Sequence, residues 1–350
     1  MGYCSRTLCM RFAMSFAHRW VGGPSACHTM AWLARTAASM LAAMAVEATE
    51  PATNRGEFER CIQRMFADDQ TADVRVVFGY DNSFDLKDPS DPARARNFMA
   101  YLTAQSFAEI PCTEALANEL GVPAAAQNLR LFQGDGGPGR TLRVSLMWSS
   151  ATLSTGRNLG SEYPRQLRCS SEALKFMQKA SSDAEVMAYV GHSRSGGGPD
   201  TYPPETLDYA GGERQQVDFS HYRRTRPGLA ALESSFRNSR RAPSFIAWTG
   251  CFAEPHFRRW LSDVLCRRDE PTCLVLSTRI IRHMPWKKVI EGNDEGLMVV
   301  VSLLEAIRNN GSQAAFEQRL QACELEELRE TYMPAWKLIM LPANAITPGE

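Results

Sequence analysis

Short apolar runs that alternate with amphipathic helical stretches constrain this chain more than any other feature. EVMAYVGH (185–192), SFIAWTGC (244–251) and CLVLSTRII (273–281) each carry an apolar run with no polar alternation. A strand with one wet face alternates; a strand covered on both faces need not. TLRVSLMWSSAT (141–152) is a further strand with Val144, Leu146 and Trp148 on one face. Between the runs lie helical patterns. SSEALKFMQKAS (170–181) opens on a serine cap, with Ala173, Leu174 and Met177 as its inner stripe. GLAALESSFR (228–237) follows, then PHFRRWLSDVLC (255–266) with Phe257, Trp260, Leu261 and Val264 inward. GLMVVVSLLEAIRNN and SQAAFEQRLQACELEELRE close the pattern as two helices separated by Gly311. Strand–helix–strand alternation predicts an α/β fold, a three-layer α/β/α sandwich around a mainly parallel sheet.

The regular pattern begins only at Thr141. A length of 350 residues predicts roughly two domains. Residues 49–140 read as a smaller α+β region: DVRVVFGY (73–80) is a strand, Arg94 to Phe107 has helical spacing, and LRLF (129–132) is a strand closed by GDGGPGR. The expected main domain spans 141–330, and 331–350 form a C-terminal tail. Residues 1–48 form a presequence. Within it, 30–48 has one arginine, an apolar stretch from Ala37 to Val46 and the exit Val46-Glu47-Ala48, the order of a secretory signal. That stretch is too short to span a bilayer. The mature chain is therefore expected to be secreted or periplasmic, with no membrane span.

The charge balance is neutral, with 39 basic and 39 acidic residues. It gives no electrostatic case for nucleic acid. The local clusters Arg223, Arg224, Arg226 and Arg237, Arg240, Arg241 lack interleaved aromatics and read as solvated loop. Without residues 1–48, seven cysteines remain: Cys61, Cys112, Cys169, Cys251, Cys266, Cys273 and Cys323. In an oxidising compartment cysteines pair, and an odd count leaves one thiol over. Cys266 and Cys273 bracket RRDEPT and form the expected local disulfide. Cys251 is the expected free thiol.

The chemistry concentrates where two apolar runs stop. One ends in Gly191-His192, the other in Gly250-Cys251 ahead of a helix. Ligand sites of open α/β sheets lie beyond the carboxyl ends of strands, so these residues face one crevice if the strands are neighbours. A thiolate is a nucleophile, and an adjacent imidazole either deprotonates the thiol or pairs with the thiolate. The helix starting near Pro255 would favour the thiolate through its positive end. Gly250 permits a tight turn. Gly196, Gly197 and Gly198 allow a substrate backbone to approach and offer N–H donors for an oxyanion. His221, His256 and His283 are not at metal-ligand spacings, and no phosphate loop or dinucleotide fingerprint occurs. Neither a metal nor an organic cofactor is implied.

Strand–His followed by strand–Gly-Cys–helix resembles the caspase-like cysteine peptidases: caspases, legumains, gingipains and separases. In caspases the histidine precedes the cysteine by about 50 residues; here the separation is 59, from His192 to Cys251. The resemblance covers residues 141–325. It implies Cys251 as nucleophile, His192 as general acid/base, a polypeptide substrate, and oxyanion donors at Cys251 and near Gly196. The family has glycine directly after the histidine. Here Ser193 follows, and glycines resume at Gly196. By the same resemblance the substrate pocket draws on Thr278, Arg279, Arg282 and Trp286; Arg279 suits an acidic side chain, Asp294 or Glu295 a basic one. The leading expectation is an exported cysteine endopeptidase working through a Cys–His dyad. Its rivals are a non-catalytic exported binding domain, motivated by Ser193, and a hydrolase or transferase on another acyl substrate.

Overall fold

Side chains alternate across a strand with period two, and in the central strands at 186–190, 245–248 and 272–277 both sets are buried. In the computed structural model, which describes residues 56–80, 91–207, 216–239, 241–265, 270–281, 294–322 and 336–341, Val186, Ala188 and Val190 enter one core while Met187 and Tyr189 enter the other. Phe245 and Ala247 join the first core, Ile246 and Trp248 the second. Two helical layers cover those two faces.

The described elements run α1 (Glu57–Arg64), β1 (Thr71–Phe78), α2 (Asp91–Ala104), β2 (Ala108–Ile110), α3 (Glu114–Leu120), β3 (Leu129–Asp135), β4 (Thr141–Trp148), α4 (Thr155–Leu159) and α5 (Tyr163–Asp183). They continue with β5 (Val186–Val190), β6 (Thr206–Leu207), β7 (Gln216–Val217), α6 (Phe219–Thr225), α7 (Pro227–Asn238), β8 (Phe245–Trp248) and α8 (Ala253–Leu265). The last are β9 (Thr272–Ser277), α9 (Glu295–Arg308), α10 (Gln313–Ala322) and β10 (Trp336–Leu341). Eight strands form one sheet in the order β10-β9-β8-β5-β1-β4-β3-β2. Strands β9, β8, β5, β1 and β4 are mutually parallel, while at the edges β10 pairs antiparallel with β9, β3 with β4 and β2 with β3. The architecture is α/β in three layers.

Helices α1, α2, α9 and α10 pack on the first face through residues such as Phe58, Phe98, Val300 and Phe316. On the second face, α5, α7 and α8 pack through Phe176, Phe236 and Phe257. The distribution opens space at one edge. After β5 and β8 the chain passes to helices of the second face, while after their neighbours β1 and β9 it passes to helices of the first. By the switch-point rule, connections that diverge in this way favour crevices outside the carboxyl ends of the adjacent pairs β1/β5 and β8/β9. No described helix is long and apolar enough to cross a membrane.

Two expected boundaries are corrected. Residue 140 separates nothing, because β1 lies between β4 and β5 in the same sheet. The 331–350 segment is not merely a tail: Trp336–Leu341 pairs with β9 as an edge strand, Trp336 opposite Ser277. The closing helices are α9 and α10, parted at Asn309–Gly311. The signal segment 30–48 lies outside the described residues.

Candidate functional site

Strands β5 and β8 are hydrogen-bonded neighbours, with Tyr189 opposite Trp248. Their register offset therefore equals the spacing between His192 and Cys251. Carried three residues past the last pair, it sets His192 against Cys251 at the carboxyl edge of the sheet. The backbone segments meet there: the Ser193 hydroxyl donates to the Cys251 carbonyl. A side chain at position 250 would place its Cβ 2.9 Å from the Ser193 nitrogen and 3.0 Å from the Gly191 oxygen. Gly250 is not left-handed. The glycine is needed for this close approach, not for the turn expected from the sequence.

Both candidate residues are half-buried. Cys251 packs against the core of the first face. Its sulfur accepts the Ile281 N–H at 3.4 Å and lies 3.7 Å from the Ile281 carbonyl. Burial pushes the thiol above the ordinary cysteine value. The Ile281 and Cys251 N–H groups and the Arg94 charge pull it down, Glu295 adds to the rise, and burial prevails. The helix after Cys251 begins at Ala253, whose N–H goes to Ser277 Oγ at 3.0 Å. The thiol's partner is thus Ile281 rather than the helix end, and the resting cysteine is a neutral thiol at pH 7.

The loop after His192 is held by a buried polar web. Tyr189 Oη donates to the His192 carbonyl at 3.0 Å and accepts the Asp200 N–H at 2.9 Å. Arg194 Nε meets Asp200 Oδ2 at 3.0 Å, and Tyr222 Oη donates to the same oxygen at 3.2 Å. Arg194 also donates to the Tyr80 carbonyl. Burial, with the Asp200 charge second, drives both tyrosine hydroxyls above their ordinary value, so they remain donors. Tyr189, Tyr222 and Asp200 belong to no motif in the sequence. The only signal was a tyrosine inside an otherwise aliphatic strand.

The expected oxyanion donors change. The N–H groups of Gly196 and Gly198 both go to the Ser193 carbonyl, and that of Gly197 goes to Arg194. They are consumed by the loop's own turn. The N–H groups of Ser193 and Cys251, by contrast, have no backbone or side-chain oxygen acceptor among the described residues. Ser193 has φ −84°, a conformation that does not require glycine, so serine after the histidine leaves this N–H in place.

The charges read as specificity determinants pair with one another. Arg279 is bidentate to Glu295, at 2.8 and 3.2 Å. Asp294 faces Arg94 at 3.3 Å, both buried. Arg279 is therefore committed to a structural pair rather than offered to an acidic substrate. Arg282 and Trp286 lie outside the described residues.

The disulfide expectation is also corrected. Cys273 carries a free, fully buried thiol, as do Cys61, Cys112, Cys169 and Cys251 their own free thiols. Cys273 faces the first core, where Cys61 of α1 is its neighbour. Cys266 lies outside the described residues. Cys251 is free, but the odd count is not the reason. No family model, curated protein or solved structure matches this chain.

Proposed function

We propose that this protein is a cysteine hydrolase of caspase-like type, an endopeptidase in which Cys251 is the nucleophile and His192 the general acid/base. The observation that carries the reading is the β5–β8 register, which aligns the histidine and cysteine at the carboxyl ends of adjacent parallel strands. The resting thiol is neutral, so proton transfer to His192 accompanies attack on the acyl carbon. The sulfur forms the new bond, and the imidazolium then returns the proton to the leaving amine. Water attacks the thioester in the second half, giving one proton to His192; the carbon–sulfur bond then breaks to release the acid, and the imidazolium returns that proton to the Cys251 sulfur. The N–H groups of Ser193 and Cys251 are the donors for the developing oxyanion. Secretion to an oxidising compartment accompanies this reading through the 30–48 segment.

The test is a peptide-library cleavage screen on the whole chain, with Cys251→Ala and His192→Ala as controls. Cleavage by the wild type, with a loss of about 10²-fold or more in each variant, is the expected result. The binding-domain reading is favoured instead if the wild type captures peptides without cutting them and Cys251→Ala captures them equally well.

A further inference from the structure

Between the loop that follows His192, at Ser195 and Gly196, and the first turns of α8, at Pro255 and His256, lies a groove of about 480 Å³. Cys251 packs toward the first core, while Trp260, in the groove wall, packs toward the second. Three guanidinium groups line the groove: Arg223 and Arg226 from the α6 end, and Arg259 from α8. Asp263 is the one acidic residue of the lining. Arg226 is built in, with its Nε on the Gly196 carbonyl at 3.0 Å and one Nη on the His256 carbonyl at 2.7 Å. Arg223 and Arg259 are exposed and make no hydrogen bond or ion pair among the described residues. In a chain with no net charge, three arginines against one aspartate around one concavity are a local excess of positive charge.

The backbone around this groove is unusual. Six described non-glycine residues have positive φ, and Arg194, Ser195 and Arg226 are three of them, at 46°, 52° and 45°. Such conformations cost energy and persist where the surroundings over-determine them, ligand clamps included. His256 is kept neutral by burial first and by Arg226 second, so the positive charge of the groove belongs to the arginines.

We propose that this groove binds a small polyanion, a molecule presenting two or more phosphate or carboxylate groups to Arg223, Arg226 and Arg259. Guanidinium forks match the paired oxygens of both groups. The concavity suits a compact, multiply charged ligand, and neither His192 nor Cys251 is among its lining residues. The inference does not rest on the hydrolase reading.

Calorimetric titration of the full chain with tripolyphosphate, and separately with citrate, at about 0.15 M ionic strength tests it. One-to-one binding of at least one probe is expected, and which probe binds tells phosphate from carboxylate. The double variant Arg223→Gln/Arg259→Gln should lose about tenfold or more in affinity, as removal of charge-assisted hydrogen bonds implies. Arg96→Gln/Arg237→Gln removes the same charge elsewhere on the surface and should leave the affinity within about twofold. Absence of binding for both probes overturns the proposal. So does equal loss in the two variants, which would mean that only net charge was read.

Discussion

The end of β5 and the end of β8 carry the two candidate catalytic residues, and they are held by different means. At β5, side chains fix the backbone: Tyr189, Arg194, Asp200 and Tyr222 form a buried web that ends on the His192 carbonyl. At β8, mostly backbone fixes the side chain: the Cys251 sulfur sits on the Ile281 peptide, and Ser277 ties Gly250 to Ala253. The histidine end depends on a few residues far apart in sequence. The cysteine end depends on strand geometry and on one missing Cβ. Substitutions should therefore act through lost polar partners at the first end and through sterics at the second.

The largest effect is expected at Asp200. Asp200→Ala takes the carboxylate away from the Arg194 guanidinium and the Tyr222 hydroxyl, and breaking a buried pair from one side costs about 3–5 kcal/mol. Urea unfolding measures this; a loss below about 1 kcal/mol would show that the web is not what holds the loop. A second effect concerns the buried thiols. Cys61 is pushed up to about 11 by burial, against an ordinary value of 9.0. Its contribution is present below the unfolded value and is lost as pH rises through the folded one, because the unfolded thiol releases its proton first. Between pH 9 and 11 stability should fall, with about 2–3 kcal/mol of the loss due to Cys61. Cys61→Ala should show a correspondingly smaller fall. Cys251 shifts in the same direction, so simple alkylation of the free protein should be slow at neutral pH and accelerate in alkali.

Gly250→Ala probes the cysteine end. Its methyl would meet the Ser193 nitrogen and the Gly191 oxygen, both backbone, so one strand end must move. The expected cost is about 1–3 kcal/mol, together with reduced hydrolysis because the Ser193 N–H is displaced. Ser277→Ala should cost least, about 1 kcal/mol, by freeing the Gly250 carbonyl and the Ala253 N–H. A larger effect at Ser277 than at Asp200 would invert the comparison.

The sequence made the strands themselves legible because they are buried on both faces. VMAYV and FIAW read as covered strands without any knowledge of their neighbours. Strand order is not legible: DVRVVFGY reads as a strand, but nothing local says that it sits between β4 and β5. WKLIML does not stand out as a strand for the same reason, since an edge strand has only β9 to identify it. At the site, His192 and Cys251 were found from glycine-preceded strand ends. Their supports were not, because Asp200 and Tyr222 meet only in the folded chain. The glycines at 196–198 misled: flexible N–H groups suggested oxyanion donors, whereas folding spends them on their own turn.

The most direct test of the dyad is the rate at which Cys251 is modified by peptide-bearing electrophiles, followed by mass spectrometry at neutral pH. A reactive peptide that occupies the site should modify Cys251 in the wild type and leave the other free thiols unlabelled. His192→Ala should slow that reaction by about 10²-fold while the fold is retained. Equal rates in the wild type and in a folded His192→Ala variant would contradict the account, because the neutral, half-buried thiol would then owe nothing to the histidine on the neighbouring strand end.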